Sequence, residues 1–418
     1  MPKFSKTVIA VRINTEQLLR VFLCYLSGMI RFLRFVCVFW AFSTNAQTIQ
    51  NNFIAGKTTG ILPFLEYGLG IDRLGGAKMT YLDTGITIKV VDSTIVNYKV
   101  QLSKDHFAYL PKQNFQREND IKPLPYYLTN SWRVSGDDRY DYVTVTLDEK
   151  LPYRSMQQIN PSKIVVDIFG AIGNTNWITQ LSTAEEIKNV YHEQLEDDVF
   201  RVIIELKNKQ HWGYSIYYQE KRLVIRVKRQ PAELDLKNLK VAVDAGHGGD
   251  NNGARGVTTK ILEKEYTLLF AKQLEKLLLD EKAAIFMARD KDTTLNMPDR
   301  ILTLQKEDPH FLISIHLNSS ARDSIKGTST YYRHIGFRPL SQYILKDLLE
   351  LGLKEFGNIG SFNFALSGPT EYPNCLVEVA FLSNKEDEQL ILDPEFHKAV
   401  AAQILAGIKE WLKSCKSD

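Results

Sequence analysis

The pattern of apolar and polar positions changes character twice along the chain. Residues 86–91, 98–102 and 107–110 alternate apolar with polar at period two and are separated by turn residues such as Thr84-Gly85, which predicts short half-buried β-strands. After a linker containing Lys122-Pro-Leu-Pro125, strand-like runs resume at 141–147, 163–169, 199–206 and 222–227, a second all-β stretch. Beyond Gln230-Pro231 the period shifts. Apolar runs at 239–244, 284–288, 311–316 and 375–381 suit strands buried on both faces, and the segments between them repeat at 3.6 residues. Tyr266, Leu269, Phe270, Leu274, Leu277 and Leu278 share one helical face, residues 396–411 form a closing amphipathic helix, and a strand-like piece at 327–332 precedes a helix near 340–355. Strands alternating with helices predict an α/β unit with a mostly parallel sheet.

The first residues follow a different pattern. Met29-Ile-Arg-Phe-Leu-Arg34 is a charged start, 35–42 an apolar stretch, and Ser43-Thr-Asn-Ala46 a small-residue cleavage site, which together predict an export signal. The apolar stretch is far short of the roughly 20 residues that span a bilayer. The expected leader is 1–46, with the true start at Met29, the signal peptide at 29–46 and no membrane span after cleavage; the chain is then exported, periplasmic or attached to the cell envelope.

Composition narrows the possibilities further. Apolar residues at 44%, charged at 24% and aromatic at 11% are values of globular domains, and 418 residues exceed one ordinary domain. The net charge is +3, but the leader holds six basic residues and one acidic, so the remainder carries 46 basic against 48 acidic. An electrostatic case for nucleic acid disappears with that balance. Four cysteines, two of them (Cys24 and Cys37) in the leader, exclude a disulfide scaffold, and Cys375 among apolar strand residues reads as a small core side chain. Trp177 and Trp212 are expected in cores rather than on a ligand platform.

Candidate chemistry lies where polar residues interrupt or end the apolar strands of the α/β unit, because burying a charge or imidazole is costly unless it is paired or ligated. His247 follows the first strand in Val243-Asp-Ala-Gly-His-Gly-Gly249, at the edge where open α/β sheets place ligands. His316 ends a second strand in Ser314-Ile-His-Leu-Asn318, and Glu378 stands between Val377 and Val379 in a third. Glu263 opens the amphipathic helix, where the helix dipole favours a carboxylate by up to about 1 kcal/mol; Glu265 is its rival. Each residue alone has an ordinary reading: a loop histidine, a solvated acid, a core histidine, or an ion-pair partner of Arg289 or Arg300. Together, two imidazoles and one carboxylate make a three-ligand zinc site with a fourth position open, the arrangement of hydrolytic zinc. Glu378 is then the candidate proton carrier. His310, His334 and His397 fall outside this convergence.

The motifs quoted, with Glu263-Lys264 followed by Leu268 and with Leu376-Val-Glu-Val-Ala-Phe-Leu-Ser-Asn384, resemble the zinc-dependent N-acetylmuramoyl-L-alanine amidases of the Amidase 3 family over 239–411. The resemblance implies zinc as cofactor, His247, Glu263 and His316 as its ligands, and Glu378 as the catalytic glutamate. It implies hydrolysis of the amide joining N-acetylmuramic acid to L-alanine, with peptidoglycan as partner. Two alternatives are a catalytically weak wall-binding scaffold and a zinc peptidase cutting within the stem peptide.

Upstream, Tyr81-Leu-Asp-Thr-Gly85 with Ala108-Tyr-Leu-Pro111 resembles a bacterial SH3-like barrel, and Pro161-Ser-Lys-Ile-Val-Val-Asp-Ile-Phe-Gly-Ala171 with Phe200-Arg-Val-Ile-Ile-Glu-Leu206 resembles an AMIN β-sandwich. The expected fold class is therefore multidomain: a barrel at 60–117, a sandwich at 126–230 and an α/β amidase domain at 236–415. Relative to the family, Leu366-Ser-Gly-Pro-Thr-Glu-Tyr-Pro373 lacks an arginine. The interval between His316 and the last strand is too sparsely helical to hold the site-plugging helix of division-linked members, so activation by a partner protein is not expected.

Overall fold

The computed structural model describes residues 53–70 and 75–416, and the leader expected at 1–46 lies outside them. Residues 53 onward form a compact unit. Its first part is a seven-stranded antiparallel sheet running from Ile54–Thr58 to Phe115–Arg117. Its second part has a four-stranded antiparallel sheet containing Ser162–Phe169 and Val199–Leu206, and a six-stranded sheet containing Tyr127–Gly136 and Tyr140–Leu147. The strict alternation of Tyr140–Leu147 turns Val143, Val145 and Leu147 inward. These two parts are not independently packed: Leu65, Ile88 and Val100 of the first share one continuous apolar cluster with Val145, Ile168 and Ile225 of the second.

The third part carries a six-stranded mixed sheet. Its strands are Lys240–Ala245 (β1), Ala284–Met287 (β2), Phe311–Asn318 (β3), Thr328–Tyr331 (β4), Glu355–Ile359 (β5) and Asn374–Phe381 (β6), in spatial order β2-β1-β3-β6-β4-β5. Neighbours are parallel except β4 against β6. Helices Glu263–Asp280 (α1), Met297–Glu307 (α2), Arg338–Leu349 (α3), Lys385–Leu392 (α4) and Pro394–Cys415 (α5) complete this part. Helices α1, α3 and α5 pack over one face, where Val241, Val243 and Ile313 meet Phe270, Ile344 and Ile404. On the other face Ile301 and Leu304 of α2 cover Ala242 and Leu312. Because the central strands are sandwiched, every residue of β6 is buried. No helix among the described residues is long and apolar enough to cross a membrane.

Three expectations need correction. Leu269 is on the solvent side of α1, 46% exposed, because the buried stripe runs through Thr267, Phe270, Ala271, Leu274 and Leu278. The helix expected near 340–355 stops at Leu349; Gly352 turns the chain at φ +75°, and Glu355–Ile359 pairs as an edge strand instead. Of the two tryptophans, Trp212 is buried against Trp411, ring centroids 5.2 Å apart, but Trp177 is 62% exposed. Both described cysteines, Cys375 and Cys415, are buried.

Candidate metal centre

Strand β1 ends at Ala245, and the chain then turns sharply through Gly246-His247-Gly248-Gly249. His247 has φ +62°, a left-handed conformation that costs a non-glycine residue on the order of 1 kcal/mol or more. Long-range hydrogen bonds hold it there. The Arg300 guanidinium donates to the His247 carbonyl at 2.9 Å, Arg289 donates to the carbonyls of Ala245 at 2.8 Å and Gly246 at 2.9 Å, and Gly248 pairs with Asn251 through both backbone groups. Glycine is required nearby for close approach: a β-carbon on Gly246 would lie 2.4 Å from the His316 ring, and one on Gly253 would lie 2.4 Å from Glu263 Oε2.

Glu263 stands at the start of α1, 3% exposed, while its rival Glu265 is exposed. Glu263 Oε1 lies 3.0 Å from His247 Nε2 and 3.1 Å from His316 Nδ1. The two rings meet edge to face with centroids 4.9 Å apart, and the three side chains offer ligand atoms all within 4.8 Å of one another. Backbone N–H groups of Leu317 at 3.0 Å and Ala254 at 2.7 Å donate to the two carboxylate oxygens. Burial alone would raise the Glu263 pKa, but the hydrogen bonds and charges of the two histidines hold it well below the usual carboxylate range. For His247, burial pulls the pKa down, while Glu263 and Asn251 more than compensate and leave it above its ordinary value.

The tautomer of His247 follows from its neighbour. Asn251 Oδ1 accepts the Gly253 N–H at 3.1 Å, so it is the acceptor facing His247 Nδ1 at 3.0 Å, and Nδ1 carries the hydrogen. In the neutral ring Nε2 is then a bare lone pair aimed at a carboxylate oxygen. Such a contact needs a proton or a cation between the atoms, and a divalent metal bound by two imidazoles and one carboxylate meets that need. Asn251 holds the His247 ring by this contact, the position of an outer partner should the histidine ligate a metal.

Glu378 lies in the wall of the same cavity, about 710 Å³, with His247, Glu263, His316 and the loop residues Phe364 and Leu366. It is buried, and strand register sets it directly opposite His316. Burial raises the pKa of the Tyr331 phenol, and the negative charge of Glu378 adds to that rise. Arg289 and Arg300 have other work: Arg300 pairs with Asp244 at 2.8 Å, and Asp244 also accepts from Ser314 at 2.7 Å. His310, His334 and His397 are engaged with Lys240 N, the Gly368 carbonyl and the Ile391 carbonyl, away from this cavity. Asp244 and Asn251 escaped the sequence reading. A charge in the apolar run of β1 was a visible signal for Asp244, by the reasoning applied to Glu378; nothing local marks Asn251.

The sequence matches the family described as N-acetylmuramoyl-L-alanine amidase (Amidase_3) over residues 241–410, and the AMIN domain over 131–227. Among curated relatives, the probable cell wall amidase LytH of Staphylococcus saprophyticus is 30% identical over 190 residues, 45% of this chain and 64% of that protein. LytH of Staphylococcus epidermidis is 32% identical over 180 residues, 43% of this chain and 60% of that protein. The chain thus spans under two thirds of these relatives' length. Among solved structures, the catalytic domain of CwlV, an N-acetylmuramoyl-L-alanine amidase from Bacillus (Paenibacillus) polymyxa var. colistinus, is 32% identical across 42% of this chain and 98% of its own, with a TM-score of 0.40. By these sequence matches residues 241–410 belong to the N-acetylmuramoyl-L-alanine amidase family, and residues 131–227, ahead of them, are an AMIN domain.

Proposed function

We propose that this chain is a zinc-dependent N-acetylmuramoyl-L-alanine amidase that cuts the amide between the lactyl group of N-acetylmuramic acid and L-alanine in peptidoglycan and releases stem peptides. The observation that carries the reading is the meeting of His247, Glu263 and His316 around one point, with Glu378 in the wall of the same cavity. His247 Nε2, His316 Nδ1 and Glu263 Oε1 would hold the metal. A zinc ion bound there supplies Lewis acidity, which polarises an amide carbonyl and acidifies water to a pKa of about 7.

The chain's own groups do the remaining work. Arg289 and Arg300 fix the loop that aims His247, and Asn251 keeps the Nδ1 hydrogen in place so that Nε2 remains a donor of its lone pair. The N–H groups of Leu317 and Ala254 keep Glu263 ionised and oriented. Glu378 accepts the proton of the attacking water and returns it to the departing alanine nitrogen, a general base and then general acid.

The wider reading follows from the export signal. The catalytic domain at 236–415 acts in the cell envelope, and the SH3-like barrel at 60–117 and AMIN-like β-sandwich at 126–230 hold it on the wall. No activating partner protein is required. Digestion of purified sacculi by the full chain, read by mass spectrometry, tests the function. An amidase exposes a free alanine amine on each released stem peptide; a stem peptidase would leave that alanine on the sugar, and a scaffold would only co-sediment.

A further inference from the structure

A second cavity of about 390 Å³ opens where the three parts of the molecule meet, away from the metal centre. Lys78 and Tyr81 line it from the first sheet, Tyr217 and Arg226 from the second part, and Arg333 and Glu371 from the catalytic part. Its walls are tied together by contacts between distant segments. Arg333 donates to the Lys78 carbonyl and to Asn363 Oδ1, Asn363 Nδ2 donates to the Gly76 carbonyl at 2.8 Å, and Tyr214 and Thr370 exchange hydrogen bonds of 2.8 Å. The size and the junction setting are those of ligand sites, which commonly occupy about 300–1,000 Å³ at domain interfaces.

The charges on these walls are unbalanced. Arg333 donates only to neutral oxygens, and among the described residues no carboxylate lies within ion-pair distance of Arg333, Arg226 or Lys78. Arg226 donates to Ser215 at 3.0 Å and stacks over Tyr140. Two acids share the lining: Asp83 accepts the Tyr218 N–H, and Glu371 accepts from Gln305 at 2.7 Å. Burial lowers the Lys78 pKa, Glu66 partly offsets this, and Arg333 lowers it further; burial likewise lowers that of Arg333. Three cations against two carboxylates leave the lining with an excess of positive charge, and half-burying that excess is costly and is relieved by an incoming anion. Tyr81 and Tyr217 line the cavity beside them.

We infer that this junction cavity binds a carboxylate-bearing sugar, with the carboxylate on Arg226, Arg333 and Lys78 and the ring against the tyrosines. The inference rests on the proposed reaction in one respect: hydrolysis of the muramyl amide leaves a new lactyl carboxylate on the glycan, so stripped glycan carries the charge this cavity lacks. The site would then keep the enzyme on strands it has begun to clear.

Titration calorimetry of the full chain with N-acetylmuramic acid and with N-acetylglucosamine, which lacks the lactyl group, tests it. At least tenfold preference for the lactyl sugar is expected, lost in Arg226→Gln and Lys78→Gln and retained in Arg226→Lys. Equal affinity for the two sugars, no binding of either, or a preference that survives both glutamine variants would overturn the inference. Failure of the amidase reading is seen separately, as absence of stem-peptide release by the wild-type chain.

Discussion

His316 and Glu378 stand in register across adjacent parallel strands, one beside His247 and Glu263 and the other in the wall of the same cavity. Neighbouring strands lie about 4.8 Å apart, so the sheet itself fixes the reach between a proposed ligand and the proposed proton carrier.

Removing the proton carrier should separate chemistry from metal binding. Glu378→Ala is expected to lower stem-peptide release about 10²–10⁴-fold, the usual range for general acid–base catalysis, with zinc content unchanged by elemental analysis. Near-normal turnover in this variant would remove Glu378 from the mechanism.

Ligand and outer-partner substitutions should grade differently. His247→Ala is expected to copurify without stoichiometric zinc. Asn251→Ala keeps all three ligands but frees the His247 ring, and its zinc affinity in chelator competition should fall about 10–100-fold. Unchanged affinity in Asn251→Ala would mean that the tautomer is set by something else.

Arg300 and Asp244 form an ion pair that is almost wholly buried, 3% and 0% exposed. Arg300→Met leaves Asp244 uncompensated and should cost about 3–5 kcal/mol in denaturant unfolding, whereas the double variant Arg300→Met with Asp244→Leu should recover much of that stability. Zinc affinity should stay low in the double variant, because the His247 carbonyl has still lost its donor. Recovery of both quantities would make the pair structural only.

Acid should weaken the joint between the upstream sheets and the catalytic part. Burial pushes the pKa of His211 down to about 4, against a smaller opposing effect of its hydrogen bond to the Gln158 carbonyl. Burial, reinforced by Arg333, pushes His334 down to about 4 as well. Between the ordinary value of 6.5 and about 4 the unfolded chain binds protons that the folded chain refuses, so stability falls as pH drops through that window. The loss is on the order of 3 kcal/mol per histidine at its fullest. Urea midpoints at pH 7 and pH 5 measure it, and His211→Gln or His334→Gln should flatten the difference; an equally steep slope in both variants would assign the acid sensitivity elsewhere.

Much of the architecture was readable because burial leaves a periodic trace. The alternating run at 141–147 and the unbroken apolar run at 375–381 became Tyr140–Leu147 and Asn374–Phe381, a strand buried in alternation and a strand buried throughout. Strands such as Ile187–Glu196 lack that trace because most of their residues face solvent, and pairing with Val199–Leu206 is what makes them strands. The α3 boundary was misread although Gly352 marked it, since the apolar residues around that glycine sustain a helical period past the true end.

By itself the sequence singled out the side chains proposed to carry the chemistry: His247, His316 and Glu378 end or interrupt apolar strands and Glu263 opens a helix, so their cost could be inferred without coordinates. Only the tertiary structure decided how they are held. The tautomer of His247, the arginine grip on its loop and the cation-lined junction cavity all depend on contacts between segments tens to hundreds of residues apart, and no local pattern encodes a distance across the fold.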